Sequence, residues 1–124
     1  MSFHDYRDLE VWQKAILVAK QIYLLSEGFP PSERYGLTSQ MRRAAVSIPA
    51  NIAEGWGRRY TTEFIQFLRY ANGSRTELET LLMIGVEINL TRQEAVQPIL
   101  EELQTLGRQI NNLERSLQRK KNSP

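Results

Sequence analysis

The sequence contains no cysteine and a single histidine, His4. The first absence excludes disulfides and thiolate metal sites and fits a reducing compartment, so a cytoplasmic location is the expectation. The second removes the Glu-x-x-His pairs that di-iron sites in helical bundles need, together with the usual ligands of haem and zinc. His4 stands in the N-terminal arm, where a local structural role or none is expected. Lysine is scarce too: outside the tail only Lys14 and Lys20 occur, leaving few bases that could activate a serine nucleophile. Gly55-Trp56-Gly57 lacks the Gly-Lys that completes a phosphate-binding loop, and it follows a helix rather than a strand. These absences describe a non-enzyme with no cofactor, no metal and no small-molecule substrate.

Long apolar runs are missing as well. The best, Ala15 to Ala19, is bounded by Lys14 and Lys20, so neither a signal peptide nor a membrane span is expected. Excess charge is only +2 over 124 residues, whereas phosphate binding usually shows as a large, clustered basic excess. The distribution is less even than the total. Residues 29–60 carry five Arg against two Glu, and residues 91–124 carry six Lys or Arg against four Glu. Basic charge therefore gathers at Arg42, Arg43, Arg58 and Arg59, and again at Arg115, Arg119, Lys120 and Lys121. At the tail such cations either complement the negative end of a last helix or meet a partner.

What is present reads as helix throughout, with no strand-period stretch, internal repeat or low-complexity segment. The spacing predicts a first helix from about Asp8 to Glu27, capped by Asp8 or Asp5 and stopped by Gly28, Pro30 and Pro31. Two apolar stripes run side by side along it: Leu9, Trp12, Ile16, Ala19 and Tyr23, then Val11, Ala15, Val18, Ile22 and Leu25. Roughly two-thirds of this helix is apolar, more than one bundle face buries. Either two neighbours clasp it deeply within a monomer, or other copies cover the surplus around Trp12 and Ile16; burial in an oligomer is the reading preferred.

A second helix is expected from Ser32 or Glu33 to Gly55–Gly57, its core side formed by Leu37, Met41, Ala44, Ala45, Ile48, Ile52 and Trp56. Pro49 falls inside it and should kink it or break it in two. The third helix should run from Thr61 or Thr62 to about Asn89, with Phe64, Phe67, Leu68, Ala71, Leu78, Leu81, Leu82, Gly85 and Ile88 inward and Gly73 admitting a close helix approach. Thr91-Arg92-Gln93-Glu94 has the form of a capping box opening the fourth helix. Its stripe of Val96, Ile99, Leu103, Leu106, Ile110, Leu113 and Leu117 keeps spacings of three and four. Pro98 either sits in its second turn or moves its start. Short connections predict one all-α domain, residues 1–120, as an up-down-up-down antiparallel four-helix bundle, with a disordered tail over residues 121–124.

One polar set stands out on the second helix: Arg43, Ser47, Asn51, Glu54 and Arg58 recur at spacings of four, four, three and four. Their face is either the solvated side or a hydrogen-bonded interface that Ser74 and Glu77 of the third helix could answer. Ser and Asn are mediocre helix formers, which favours an interface whose polar network fixes register and subunit geometry.

The run Gly36-Leu37-Thr38-Ser39-Gln40-Met41-Arg42-Arg43-Ala44-Ala45-Val46-Ser47-Ile48-Pro49-Ala50-Asn51-Ile52-Ala53-Glu54-Gly55 resembles the signature of the four-helix-bundle proteins encoded by intervening sequences in bacterial 23S ribosomal RNA genes. Phe3 with Leu9-Glu10-Val11-Trp12-Gln13-Lys14-Ala15 resembles the family's opening. Glu63-Phe64, Phe67-Leu68, Ala71, Gly73-Ser74 and Glu77-Leu78-Glu79 resemble its third helix. The resemblance implies a homopentameric ring; relatives include the accessory variability determinant of diversity-generating retroelements, a basic pentamer associated with a reverse transcriptase and nucleic acid. By that analogy the chain is an RNA- or DNA-associated adaptor, with Arg42, Arg58 and Arg59 on one rim, Tyr60 placed to stack on a base, and Lys120 and Lys121 adding charge. The chain departs from that relative in being only slightly basic. A scaffold holding partner proteins without nucleic acid is the alternative.

Overall fold

The computed structural model describes residues 5–122 and consists of four helices: α1 (Glu10–Ser26), α2 (Leu37–Gly57), α3 (Thr61–Glu87) and α4 (Gln93–Asn122). Among the described residues there is no strand, and no helix is long and apolar enough to cross a membrane. Phe3 and His4 lie outside them.

Two of the helices start later than their sequence signals suggest, because short 3-10 turns intervene. Asp5 caps such a turn at Tyr6–Asp8, its carboxylate accepting from the Arg7 backbone N–H at 2.8 Å. The hydrogen bond and ion pair with the Arg7 guanidinium hold the Asp5 carboxyl down at about 2. Only then does the Leu9 carbonyl accept from Trp12 and Gln13 to open α1. In the same way Pro31–Glu33 forms a 3-10 turn, and α2 begins at Leu37, whose N–H is met by the Glu33 carboxylate at 3.2 Å. α2 runs through buried Pro49 without a break, although the proline has no N–H to offer the Ala45 carbonyl.

The helix ends also differ from expectation. None of the glycines has a positive φ; the left-handed positions are taken by Arg59 (φ 71°) after α2 and Asn89 (φ 61°) after α3. At the second, Leu90 N–H donates to Gly85 O at 2.9 Å and Asn89 N–H to Val86 O at 3.0 Å, the paired bonds of a Schellman stop. The capping box does not form: the Arg92 carbonyl accepts from Ala95 and Val96, and no side-chain hydrogen bond joins Thr91 or Glu94 to the turn. At the other end α4 continues through Lys121 and Asn122, and its last turn carries Arg119, Lys120 and Lys121 beside the negative helix terminus; residues 123 and 124 of the expected tail lie outside the described residues.

Each helix packs on its sequence neighbours, and α4 closes the ring against α1. Along α2 and α3 the contacts run in opposite senses: Gly55 meets Phe64 and Phe67, Ser47 meets Ser74, and Met41 meets Gly85. Lys14 reaches Glu102 at 2.8 Å between α1 and α4, and Arg69 reaches Glu114 at 2.7 Å between α3 and α4. The core comes from Val11, Ala15, Val18 and Ile22, from Met41, Ala45, Ile48 and Ile52, from Leu68, Ala71, Leu78 and Leu82, and from Val96, Leu103, Leu106 and Ile110. Ile65, absent from the expected inward set, is buried, whereas Ile88 is exposed because α3 ends just before it.

Closeness between α2 and α3 rests on Gly55 and not on Gly73. A Cβ placed at Gly55 would lie 2.5 Å from the Phe67 Cβ, while one at Gly73 would meet nothing within 4 Å. Gly73 lies on the exposed side of α3.

Candidate nucleic-acid interface

The α2–α3 turn presents three adjacent candidates. Arg58 caps α2; its guanidinium bonds Glu54 at 3.0 Å, lies 3.7 Å from Glu63 and sits 5.1 Å from the centre of the Phe67 ring. Arg59 stacks its guanidinium 5.6 Å from the Trp56 ring centre. Tyr60, in the N-cap position of α3, leaves 70% of its surface in solvent and makes no side-chain cap. These residues sit where they do because α3 starts at Thr61, only four positions after α2 ends.

The last turns of α4 come to the same end of the bundle. Thr62, Gln66, Arg69, Gln118 and Lys121 line a groove of about 240 Å³, and Arg69, Asn111, Glu114, Arg115 and Gln118 line a neighbouring one of about 300 Å³. Lys121 therefore stands beside the first turn of α3, whose free N–H groups add positive potential. Local charge in the sequence and the family resemblance pointed to Arg58, Arg59, Tyr60, Lys120 and Lys121. It passed over Arg69 and Gln118, which join the site only because α3 and α4 lie side by side.

Charge divides along the bundle axis. The half holding residues 5–17, 48–74 and 108–122 has ten Lys or Arg against six Asp or Glu, and the half holding residues 18–47 and 75–107 has six against eight. A net charge of +2 thus conceals a molecule with one basic and one mildly acidic end. Arg42 does not join the basic end. It lies between α1 and α2 near the other end, where its Nε donates to Ser26 Oγ at 2.8 Å and its guanidinium covers the Tyr23 ring at 4.6 Å.

The polar set on α2 separates into two parts. Ser47 and Asn51 are half-buried towards α3: Asn51 Nδ2 donates to Ser47 O and Oγ at 2.8 and 2.9 Å, and Ser74 Oγ donates to Ser47 Oγ at 2.9 Å. Arg43 and Glu77 are exposed and outside this network, while Glu54 serves Arg58. The stripe turns away from α3 at its ends, so one face of spacing four does not remain one interface. Trp12 is half-buried, its ring edge-on to Tyr6 at 5.4 Å, with Tyr6 also meeting Trp56 at 6.3 Å. Ile16 remains 41% exposed on the outside of α1, next to Leu17 at 58%. Among the described residues no cluster of three or more His, Cys, Asp or Glu could hold a metal.

The model of the 23S rRNA-intervening sequence protein family matches residues 7–112, which takes in α1, α2, α3 and most of α4. The chain belongs to this family. A solved structure of similar fold is a protein of unknown function from the S23 ribosomal protein family from Bacteroides thetaiotaomicron. The two share 21% sequence identity and a TM-score of 0.78 over 85% of this chain and 95% of the other. No curated protein matches the chain.

Proposed function

We propose that this member of the 23S rRNA-intervening sequence protein family is a non-enzymatic homo-oligomeric adaptor, pentameric as the resemblance implies, that binds RNA or DNA through the basic end of its bundle. The observation that supports this reading is that Arg58, Arg59 and Tyr60 in the α2–α3 turn lie at the same end of the bundle as Arg69, Arg115 and Lys121, which line the grooves between α3 and the end of α4. A single copy presents a modest field. Repetition in an oligomer would multiply it, and an exposed tyrosine among arginines offers a stacking surface for an unpaired base. Assembly is supported by the apolar side chains left outside the bundle on α1.

Gel shifts with single-stranded and duplex RNA and DNA at two ionic strengths test the proposal. Binding should weaken steeply with salt, because phosphate contacts release counterions, and Arg58→Ala/Arg59→Ala should lower the slope of log K against log salt by about 2. No shift at low salt with any of the four probes would refute nucleic-acid binding. A protein-only scaffold has one observation in its favour: Arg42, Arg58 and Arg59 already rest on Tyr23, Phe67 and Trp56 within the chain. Capture of protein partners that survives nuclease treatment, with no gel shift, would establish that reading instead.

A further inference from the structure

We propose that copies associate head to tail, the outer face of α1 on one copy docking on the outer face of the C-terminal part of α3 on the next; this rests on the oligomeric reading above and specifies its interface. Two separate apolar patches are left uncovered. On α1, Ile16, Leu17 and Leu24 are 41–58% exposed around Lys20, and Tyr23, 42% exposed with the Arg42 guanidinium over its ring, borders them. At the end of α3, Met83 and Ile84 with Ile88, the residue that caps the helix, are 43–54% exposed and surround Glu87. Within each set the spacings of one, three and four residues place the side chains on one side of the helix.

α1 and α3 do not pack on each other; each contacts α2 and α4, so they stand diagonally and their outer faces point away from one another. Within one copy the two patches therefore do not meet. A self-matched contact would be poor, because α1 against α1 brings Lys20 towards its own copy and α3 against α3 does the same for Glu87. α1 against α3 covers apolar surface on both sides and sets Lys20 opposite Glu87. Neither of these residues has a hydrogen bond or ion pair within its own chain, whereas Lys14 on the same helix is held by Glu102. Since every copy keeps one patch of each kind, the contact repeats and generates a ring, or a filament where the rotation does not close.

The test is size-exclusion chromatography with light scattering at micromolar concentration, applied to wild type, Lys20→Glu, Glu87→Lys and the double variant, with helicity checked by circular dichroism. Wild type should have a mass several times 14.4 kDa. Each single exchange should shift the mass towards one chain and weaken association at least tenfold, and the double variant should recover it. Leu17→Gln, at an exposed position, should give an independent loss. Wild type assembled with both single variants unchanged, or a double variant as impaired as either single, would overturn head-to-tail docking while leaving oligomerisation intact. Wild type of one-chain mass would overturn the oligomeric reading and this interface together.

Discussion

Replacing Gly55 and Gly73 by alanine separates a packing glycine from a merely helical one. The new Cβ at position 55 would stand 2.5 Å from the Phe67 Cβ and 3.1 Å from Phe64 Cδ1. Carbon atoms pack at about 3.5–4.0 Å, so α2 and α3 must separate by about 1 Å where they cross. A Cβ is fixed to the backbone and no rotamer change at Phe67 removes it. Overpacking costs about 1–3 kcal/mol, and a clash between two Cβ atoms fixed to their backbones falls in the upper part of that range, about 2–3 kcal/mol, against a helix-propensity gain of about 1 kcal/mol from losing a glycine. The expected net loss is about 1–2 kcal/mol, or about 4–10 °C in Tm for a domain of this size. Gly73→Ala meets nothing within 4 Å and keeps only the propensity gain, a rise of about 2–5 °C. Thermal unfolding followed at 222 nm, at equal chain concentration, measures both. Gly55→Ala as stable as wild type, or Gly73→Ala less stable, would refute the packing described.

Other substitutions probe the polar contacts. Asn51→Leu removes two hydrogen bonds made to Ser47 within one helix, so it should cost about 1 kcal/mol in urea unfolding and leave the mass by light scattering unchanged. Gly107→Ala would push a Cβ to within 2.6 Å of the Arg75 guanidinium carbon; that side chain can swing aside at the expense of its bonds to Asn72 and Glu79, so the loss should be smaller than at Gly55, about 1 kcal/mol. Asp5 has a folded carboxyl pKa lowered to about 2, so its cap is fully in place above the ordinary carboxylate range near pH 4 and is lost as pH falls through about 2; an NMR titration of its carboxyl carbon with a midpoint near 4 would contradict the Arg7 pairing.

Much of the fold could be read from the spacing of apolar residues. The inner stripe of α1 and the stripe of α4 from Val96 to Ile110 are buried as their periods indicate, because a 3.6-residue repeat fixes which side chains share a face. Starts and stops were less legible. Pro31 and Asp5 open 3-10 turns and not α-helices, and the left-handed positions after α2 and α3 fall to Arg59 and Asn89, not to glycine. Gly73 and Gly55 look alike in a sequence; only the position of Phe67 on the facing helix tells them apart.

The candidate site was legible in part. Arg58, Arg59, Tyr60, Lys120 and Lys121 could be named from charge and exposure, yet nothing in their numbering said that the end of α4 returns to the α2–α3 turn. Arg42 shares their chemistry and lies near the other end, and Arg69 stands at their end of the bundle from the third turn of α3. Charge separation along the axis, in a chain of nearly balanced composition, emerges only when the four helices are laid side by side.

Sedimentation velocity of the unaltered chain at micromolar concentration, with fluorescently labelled single-stranded RNA at low salt, tests the central claim most directly. The account predicts a particle several times larger than 14.4 kDa that carries the label and releases it as salt is raised. A boundary of one-chain mass sedimenting apart from the RNA would contradict it.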